Sequence, residues 1–152
     1  MRLHRLLRLA VVAVLAALVG ACEPPLIVEL ASAHERLPTP AFVISEPSQP
    51  DGVPRYDSLS IVDKDGAVMW AVRVLPTHVG PGAPRVMYGE APEGFEVVHA
   101  AQTLEHGHVY LVSVAGEGRG TLLFRVEGNG LLSQEMGSPL LAVAPTLLVF
   151  LR

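Results

Sequence analysis

The sequence predicts a single all-β domain, an antiparallel sandwich of about seven short strands. Three observations predict this fold. Short apolar runs with a two-residue alternation recur from residue 41 onward. Gly, Pro, Asp and Asn separate these runs, as they do at turns between strands. No window of ten or more residues shows the 3.6-residue apolar period of a helix. This pattern favours a sandwich, or a small barrel, over any helical fold.

The N-terminal segment, residues 1–21, has the composition of a secretory signal. Three arginines among its first eight residues precede an apolar run from Leu9 to Val19. Gly20 and Ala21 are small residues, as expected just before a cleavage site. The apolar run is shorter than the roughly 20 residues that cross a bilayer. The sequence therefore predicts a cleaved signal and not a retained transmembrane helix.

The end of this segment, Val19-Gly20-Ala21-Cys22, resembles a bacterial lipobox. The resemblance implies that Cys22 is acylated and becomes the first residue of the mature protein, held to the membrane by its lipid chains. The alternative is an ordinary secretory signal that is cleaved without any role for Cys22. By the same resemblance, Glu23 stands where an aspartate would mark inner-membrane retention. The outer membrane of a bacterial envelope is therefore the expected location.

The charge balance restricts the possible partners. Cleavage after residue 21 removes three of the eleven basic residues and leaves a net charge of −7. Nucleic acid is not an expected partner, because its binding demands a basic surface. Cys22 is the only cysteine. Once it is lipidated, no disulfide, thiolate nucleophile or cysteine metal site is expected, and stability must come from a packed core.

Residues 22–40 are predicted to form a lipidated, extended tether. Pro24-Pro25 and Pro38-Thr39-Pro40 favour extended chain and disfavour helix. For residues 26–34 the sequence leaves open a short amphipathic turn or packing on the domain. The sandwich itself is predicted to cover residues 41–152.

Alternating apolar residues predict the strands of this domain in order. The expected strands contain residues 42–44, 59–61, 68–74, 86–88, 95–98 (as an edge strand), 110–114 and 122–126. Asp63 to Gly66 and Gly116 to Gly120 are expected to be hairpin turns. The apolar stretch from Ser138 to Leu151, cut by two prolines, is predicted to be a last strand that is either core or interface.

One motif carries a second family resemblance. Leu104, Gly107 and Tyr110 have the spacing Leu-x-x-Gly-x-x-Tyr, and two hairpin-connected strands follow up to Val126. This resembles the tyrosine corner of immunoglobulin-like and fibronectin type III sandwiches. It implies that the Tyr110 hydroxyl bonds the backbone a few residues upstream and pins a crossing between the two sheets. Trp70 is then the core aromatic. The chain lacks the cysteine pair of antibody-type domains, so the resemblance implies only the general sandwich fold. This fold does not by itself specify a function.

Few residues of the sequence are candidates for a metal-binding or catalytic site. His99, His106 and His108 are close in sequence, and imidazoles on one strand face can share a metal such as zinc. No further ligand has a diagnostic spacing, and Gly107 between His106 and His108 indicates a turn, so solvated loop histidines are the favoured interpretation. The carboxylates cluster in turns, and no nucleophile elbow or catalytic serine is recognisable. The sequence therefore predicts no cofactor, no metal site and no catalytic residue.

The function predicted from the sequence is a non-catalytic, lipid-anchored envelope protein. It would act as a binding or structural module for another envelope protein through the loops at 46–55 and 76–84, because binding residues concentrate on loops held by a rigid scaffold. A metal-dependent envelope enzyme that uses His99, His106 and His108 is one alternative. An accessory subunit that docks through the apolar C-terminal strand is the other.

Overall fold

A computed structural model describes residues 25–78 and 80–135. The predicted signal segment, Cys22 and the apolar stretch at 138–151 lie outside the described residues. The expectations for these segments stay predictions.

The described chain forms two antiparallel sheets, and the predicted all-β sandwich is confirmed. Its nine strands are β1 (Ile27–Leu30), β2 (Ala41–Ser45), β3 (Tyr56–Asp63), β4 (Val68–Val74), β5 (Arg85–Met87), β6 (Phe95–His99), β7 (Val109–Gly116), β8 (Arg119–Val126) and β9 (Leu132–Gln134). The small sheet has the order β1-β2-β5, and the large sheet has the order β6-β4-β3-β7-β8-β9.

The core lies between the two sheets and follows from the alternation of side chains along each strand. In β7, Tyr110, Val112 and Val114 are buried, and the residues between them are half-buried. Phe42 of the small sheet meets Phe124 of the large sheet, with ring centroids 5.6 Å apart. Burial of each such side chain contributes about 1.5–3 kcal/mol. This apolar layer is what holds the sheets together in a domain without disulfides.

Trp70 lies in β4, inside the large sheet between β6 and β3. It is fully buried, and its indole packs edge-on against Tyr88 with ring centroids 5.5 Å apart. Its Nε1–H is buried and has no hydrogen-bond partner among the described residues. Trp70 is therefore a packing residue whose size, and not its polar atom, matters to the fold.

The tether predicted for residues 22–40 contains a strand of the sandwich. β1 pairs with β2 from Ile27 opposite Ser45 to Leu30 opposite Phe42. Leu26 and Val28 are both 5% exposed because the alternation of this short segment directs them into the core. The folded domain therefore begins by Leu26 and not at residue 41. The prolines on either side of the segment mark its ends without excluding a strand.

The connection between β6 and β7 also differs from expectation. β6 is an edge strand, as predicted, but it pairs with β4 in the large sheet. The following residues 100–108 therefore join two strands of the same sheet, where the tyrosine-corner resemblance implied a crossing between sheets. The reason is that β5 pairs with β2 and completes the small sheet before β6 begins.

Candidate functional site

The strand directions bring three loops together at one end of the sandwich. Residues 46–55 join β2 to β3, residues 75–84 join β4 to β5, and residues 117–118 join β7 to β8. Tyr56 at the start of β3 pairs with Gly116 at the end of β7, which places these connections together. We call this the loop end. The opposite end, formed by residues 31–40, 64–67, 100–108 and 127–131, is the turn end.

The two loops predicted as a contact surface touch each other at the loop end. The Gly82 N–H donates to the Pro54 carbonyl at 2.8 Å. The Tyr56 hydroxyl donates to the Ala83 carbonyl at 3.0 Å. A Cβ atom on Gly82 would lie 2.2 Å from the Tyr56 ring, so only glycine permits this approach. The sequence predicted each loop separately, and the structure places them side by side.

A buried carboxylate organises the first loop. Glu46 is fully buried, and it is the only charged residue with that property among residues 25–78 and 80–135. Its Oε1 accepts hydrogen bonds from the Gln49 side-chain amide and the Ser48 hydroxyl, both at 3.0 Å. Its Oε2 accepts one from the Arg55 N–H at 2.9 Å. These bonds close the loop on itself and hold its two ends together.

The same contacts keep Glu46 ionised. The hydrogen bond from Gln49 is the largest influence and lowers the pKa of Glu46. Burial acts in the opposite direction, and the bonds from the Arg55 N–H and Ser48 help to overcome it. The burial of Glu46 could not be predicted, because nothing in its immediate sequence neighbours distinguishes it from the exposed carboxylates of other loops.

The outer surface of the loop end is shallow and mixed in charge. A cavity of about 280 Å³ is lined by Asp51, Val53, Arg55, Gly80 and Pro81, and so joins the two loops. The guanidinium of Arg55 lies 3.7 Å from the Glu117 carboxylate in the β7–β8 turn. Both side chains are more than half exposed, so this ion pair contributes little stability. The cavity is open to solvent and extends across both loops.

The three candidate metal-binding histidines do not converge. His99 ends the edge strand β6, which is three strand spacings, about 14 Å, from β7. His106 Nδ1 lies 3.0 Å from the Glu127 carbonyl, whereas His108 Nε2 lies 3.3 Å from the Glu105 carboxylate. Within the described chain, no three His, Cys, Asp or Glu side chains are grouped to hold a metal ion. The enzyme alternative thus loses the juxtaposition on which it depended.

The residues of the tyrosine-corner motif lie at the turn end. The Tyr110 hydroxyl accepts a hydrogen bond from the Glu105 N–H at 2.8 Å, five residues upstream. Leu104 is buried, and Gly107 turns the chain with φ of 78°. This geometry fixes the last part of the connection between β6 and β7.

A second tyrosine fixes the first part of that connection. The Tyr88 hydroxyl donates to the Gln102 carbonyl at 2.7 Å. Burial raises the pKa of Tyr88 to about 12, so the phenol keeps its proton at neutral pH. Tyr88 and Leu104 also line a groove of about 260 Å³ together with Leu37, Pro38 and Ala101. Two neutral phenol groups therefore fix the connection between β6 and β7 at the turn end.

The part of the chain that the structure describes contains no helix long and apolar enough to cross a bilayer. Comparisons with family models, curated proteins and solved structures give no match to this chain. A proposal of function therefore depends on the sequence pattern and on the geometry of the two ends.

Proposed function

We propose that this protein is a non-catalytic, lipid-anchored binding module of a bacterial envelope, and that its binding surface is the loop end. The observation that carries the proposal is the bond from the Gly82 N–H to the Pro54 carbonyl, which fixes two long loops side by side. The buried Glu46 fixes the first of them internally. Loops that are ordered before binding lose little conformational entropy when a partner arrives.

The lipid anchor is supported by the lipobox resemblance and by the position of the first strand. Residues 19–22 supply the resemblance, and β1 begins at Ile27, five residues after Cys22. A domain attached so closely to its acylated residue stays at the membrane surface. The outer membrane is the proposed location, because Glu23 follows the cysteine.

An immunoglobulin-like or fibronectin type III-like fold is the finer structural proposal. The small sheet β1-β2-β5 corresponds to strands A-B-E of such domains, and the neighbours β3-β7-β8 correspond to C-F-G. Tyr110 lies at the start of the strand in the F position, with its hydroxyl bonded to the upstream backbone. β6 and β9 are departures from that plan. In this correspondence residues 46–55 and 117–118 are the B–C and F–G loops, which bind antigen in antibody variable domains.

The anchor is tested by growing cells that make the full chain with an alkyne-bearing fatty acid and isolating the protein. The unaltered chain should carry the fatty acid and should have the mass of a chain that begins at residue 22. Cys22→Ser should carry none. Ser32→Ala, outside the lipobox, is the matched control and should behave as the unaltered chain. Equal labelling of Cys22→Ser, or no labelling of the unaltered chain, contradicts the proposal. Any precursor kept in the membrane by residues 1–21 is recognised by its larger mass.

A further inference from the structure

The chain enters the sandwich at the loop end. Pro25 forms a bridge with Arg119 at the start of β8, and the Leu26 N–H donates to the Arg119 carbonyl at 2.9 Å. A Cβ atom on Gly120 would lie 2.4 Å from the Leu26 carbonyl oxygen, so the entering segment lies directly on β8. With Leu26 buried as well, the position of residue 25 is fixed relative to the sandwich.

This entry point is beside the three loops. Arg119 follows the β7–β8 turn, whose Glu117 pairs with Arg55 of the first loop. Ile27, the first residue of β1, lies opposite Ser45, which immediately precedes that loop. The turn end is at the other end of eight-residue strands such as β3 and β7, about 27 Å away.

The distance from the proposed anchor to the entry point is short. Three peptide units separate the Cα atoms of Cys22 and Pro25, and they span about 11 Å at most. That length brings the loop end to the lipid surface and is less than half the length of the sandwich. We infer that the loop end faces the lipid bilayer, so that the partner of this surface is the headgroup layer in which the protein is anchored. This inference rests on the proposed lipidation of Cys22.

The chemistry of the loop end indicates how this contact is made. The exposed charges at the loop end are of both signs, because Asp51 and Glu117 are acidic, Arg55 pairs with Glu117, and Arg85 and Arg119 are basic, so the surface is not a uniformly basic one that would attract anionic lipid on its own. The contact therefore depends on the tether, which keeps the effective concentration of lipid at the loops high. A chain without its lipid is expected not to bind vesicles of phosphatidylethanolamine and phosphatidylglycerol.

The test compares the two ends on the lipidated full chain. Because Cys22 is the only cysteine and is blocked by acylation, Asp51→Cys and Asn129→Cys each provide a single reactive thiol for a fluorophore. Both native residues are exposed, one at each end. In vesicles that contain headgroup spin-labelled lipid, quenching at residue 51 should be several-fold greater than at residue 129. Insertion of a twelve-residue Gly-Ser linker between Glu23 and Pro24 should remove most of the difference, since it adds roughly 20 Å of reach.

Three results would overturn the inference, and they can be distinguished. Equal quenching at both residues, or stronger quenching at 129, would show another orientation on a lipidated protein. A label at 51 that is shielded from both the lipid quencher and aqueous iodide would show that a protein covers the loop end. An unacylated Cys22, seen in the mass of the isolated protein, would overturn the proposed anchor itself and the orientation with it.

Discussion

The two ends of the sandwich differ most in the burial of the carboxylate that each contains. At the turn end, the hydroxyls of Tyr88 and Tyr110 bond the backbone of one connection, and tight turns contain glycines with positive φ, such as Gly107. At the loop end, a buried ionised carboxylate, Glu46, organises a ten-residue loop. The turn end also contains a bonded carboxylate, Glu35, which accepts from the Ala41 N–H but is only partly buried. The two ends therefore differ in how far a charged group is withdrawn from water, since Glu46 is the only fully buried one among the described residues. The loop end should therefore respond to acid and to mutation in ways that the turn end does not.

The largest effect is expected in the core that both ends share. Trp70→Ala should lower the free energy of unfolding by about 3–5 kcal/mol, because it leaves a large cavity beside Tyr88. Trp70→Phe should cost less than half as much, since the buried Nε1–H has no partner in the described residues to lose. Urea unfolding followed by circular dichroism measures both. Equal losses would contradict the assignment of Trp70 as a residue that acts through its packing.

The next effect separates the two ends directly. Glu46→Ala should lower the free energy of unfolding by about 2–3 kcal/mol, because the partly buried bonds from the Arg55 N–H and the Gln49 amide lose their acceptor. Limited proteolysis should then cleave within residues 46–55 before any site at the turn end. Glu35→Ala is the comparison at the other end, where a partly buried carboxylate accepts from the Ala41 N–H. First cleavage at the turn end in Glu46→Ala would contradict the assigned role.

The same carboxylate gives the loop end a pH dependence. The pKa of Glu46 is lower in the folded protein than its ordinary value of 4.5. Its contribution to stability is therefore complete above about pH 5 and is lost as the pH falls through the lowered pKa. The free energy of unfolding, measured from pH 7 to pH 3, should fall in the unaltered chain. It should fall less over the same range in Glu46→Gln. Identical pH profiles would contradict the argument.

A pair of glycines sharpens the comparison further. Gly82→Ala should lower the free energy of unfolding by about 2 kcal/mol. The new Cβ atom would lie 2.2 Å from the Tyr56 ring and would force the two loops apart. Gly128→Ala, at the turn end, is the matched control, since a Cβ atom there meets nothing within 4 Å. Thermal unfolding of the two variants checks this difference. Equal shifts of the unfolding temperature in the two variants would mean that the loops accommodate the new Cβ atom without loss of stability.

The smallest effects concern the tyrosine hydroxyls. Tyr56→Phe removes the bond to the Ala83 carbonyl, and Tyr110→Phe removes the bond from the Glu105 N–H. Each substitution should lower the free energy of unfolding by about 1 kcal/mol. Hydrogen exchange should increase in residues 76–84 for the first variant and in residues 100–108 for the second. Exchange that rises uniformly over the molecule in either variant would contradict a local role.

Most of the fold could be predicted because strand alternation is a local property. The buried residues of β3, β7 and β8 follow the two-residue period that their sequences display. β1 was missed because its four residues lie between prolines, and only its pairing with β2 distinguishes it from a tether. β9 was missed because its three residues are too few to show a period.

The candidate site was predictable only in part. Long loops rich in Gly and Pro indicate a surface, but their contact depends on Tyr56 and Gly82, which are distant in sequence. Glu46 could not be recognised, because its burial depends on donors that reach it only after the loop has closed. Likewise, the sequence placed His99 near His106 and His108, and the order of strands in the large sheet separates them.

The proposed orientation, with the loop end and not the turn end toward the membrane, can be tested directly. Hydrogen exchange should be compared between the lipidated protein in vesicles and a chain that begins at residue 22 with Cys22→Ser. With the loop end toward the lipid, exchange in the lipidated protein should be slower at residues 46–55, 76–84 and 117–118 and unchanged at residues 100–108 and 127–131. Slower exchange at the turn end, or no difference at either end, would contradict it.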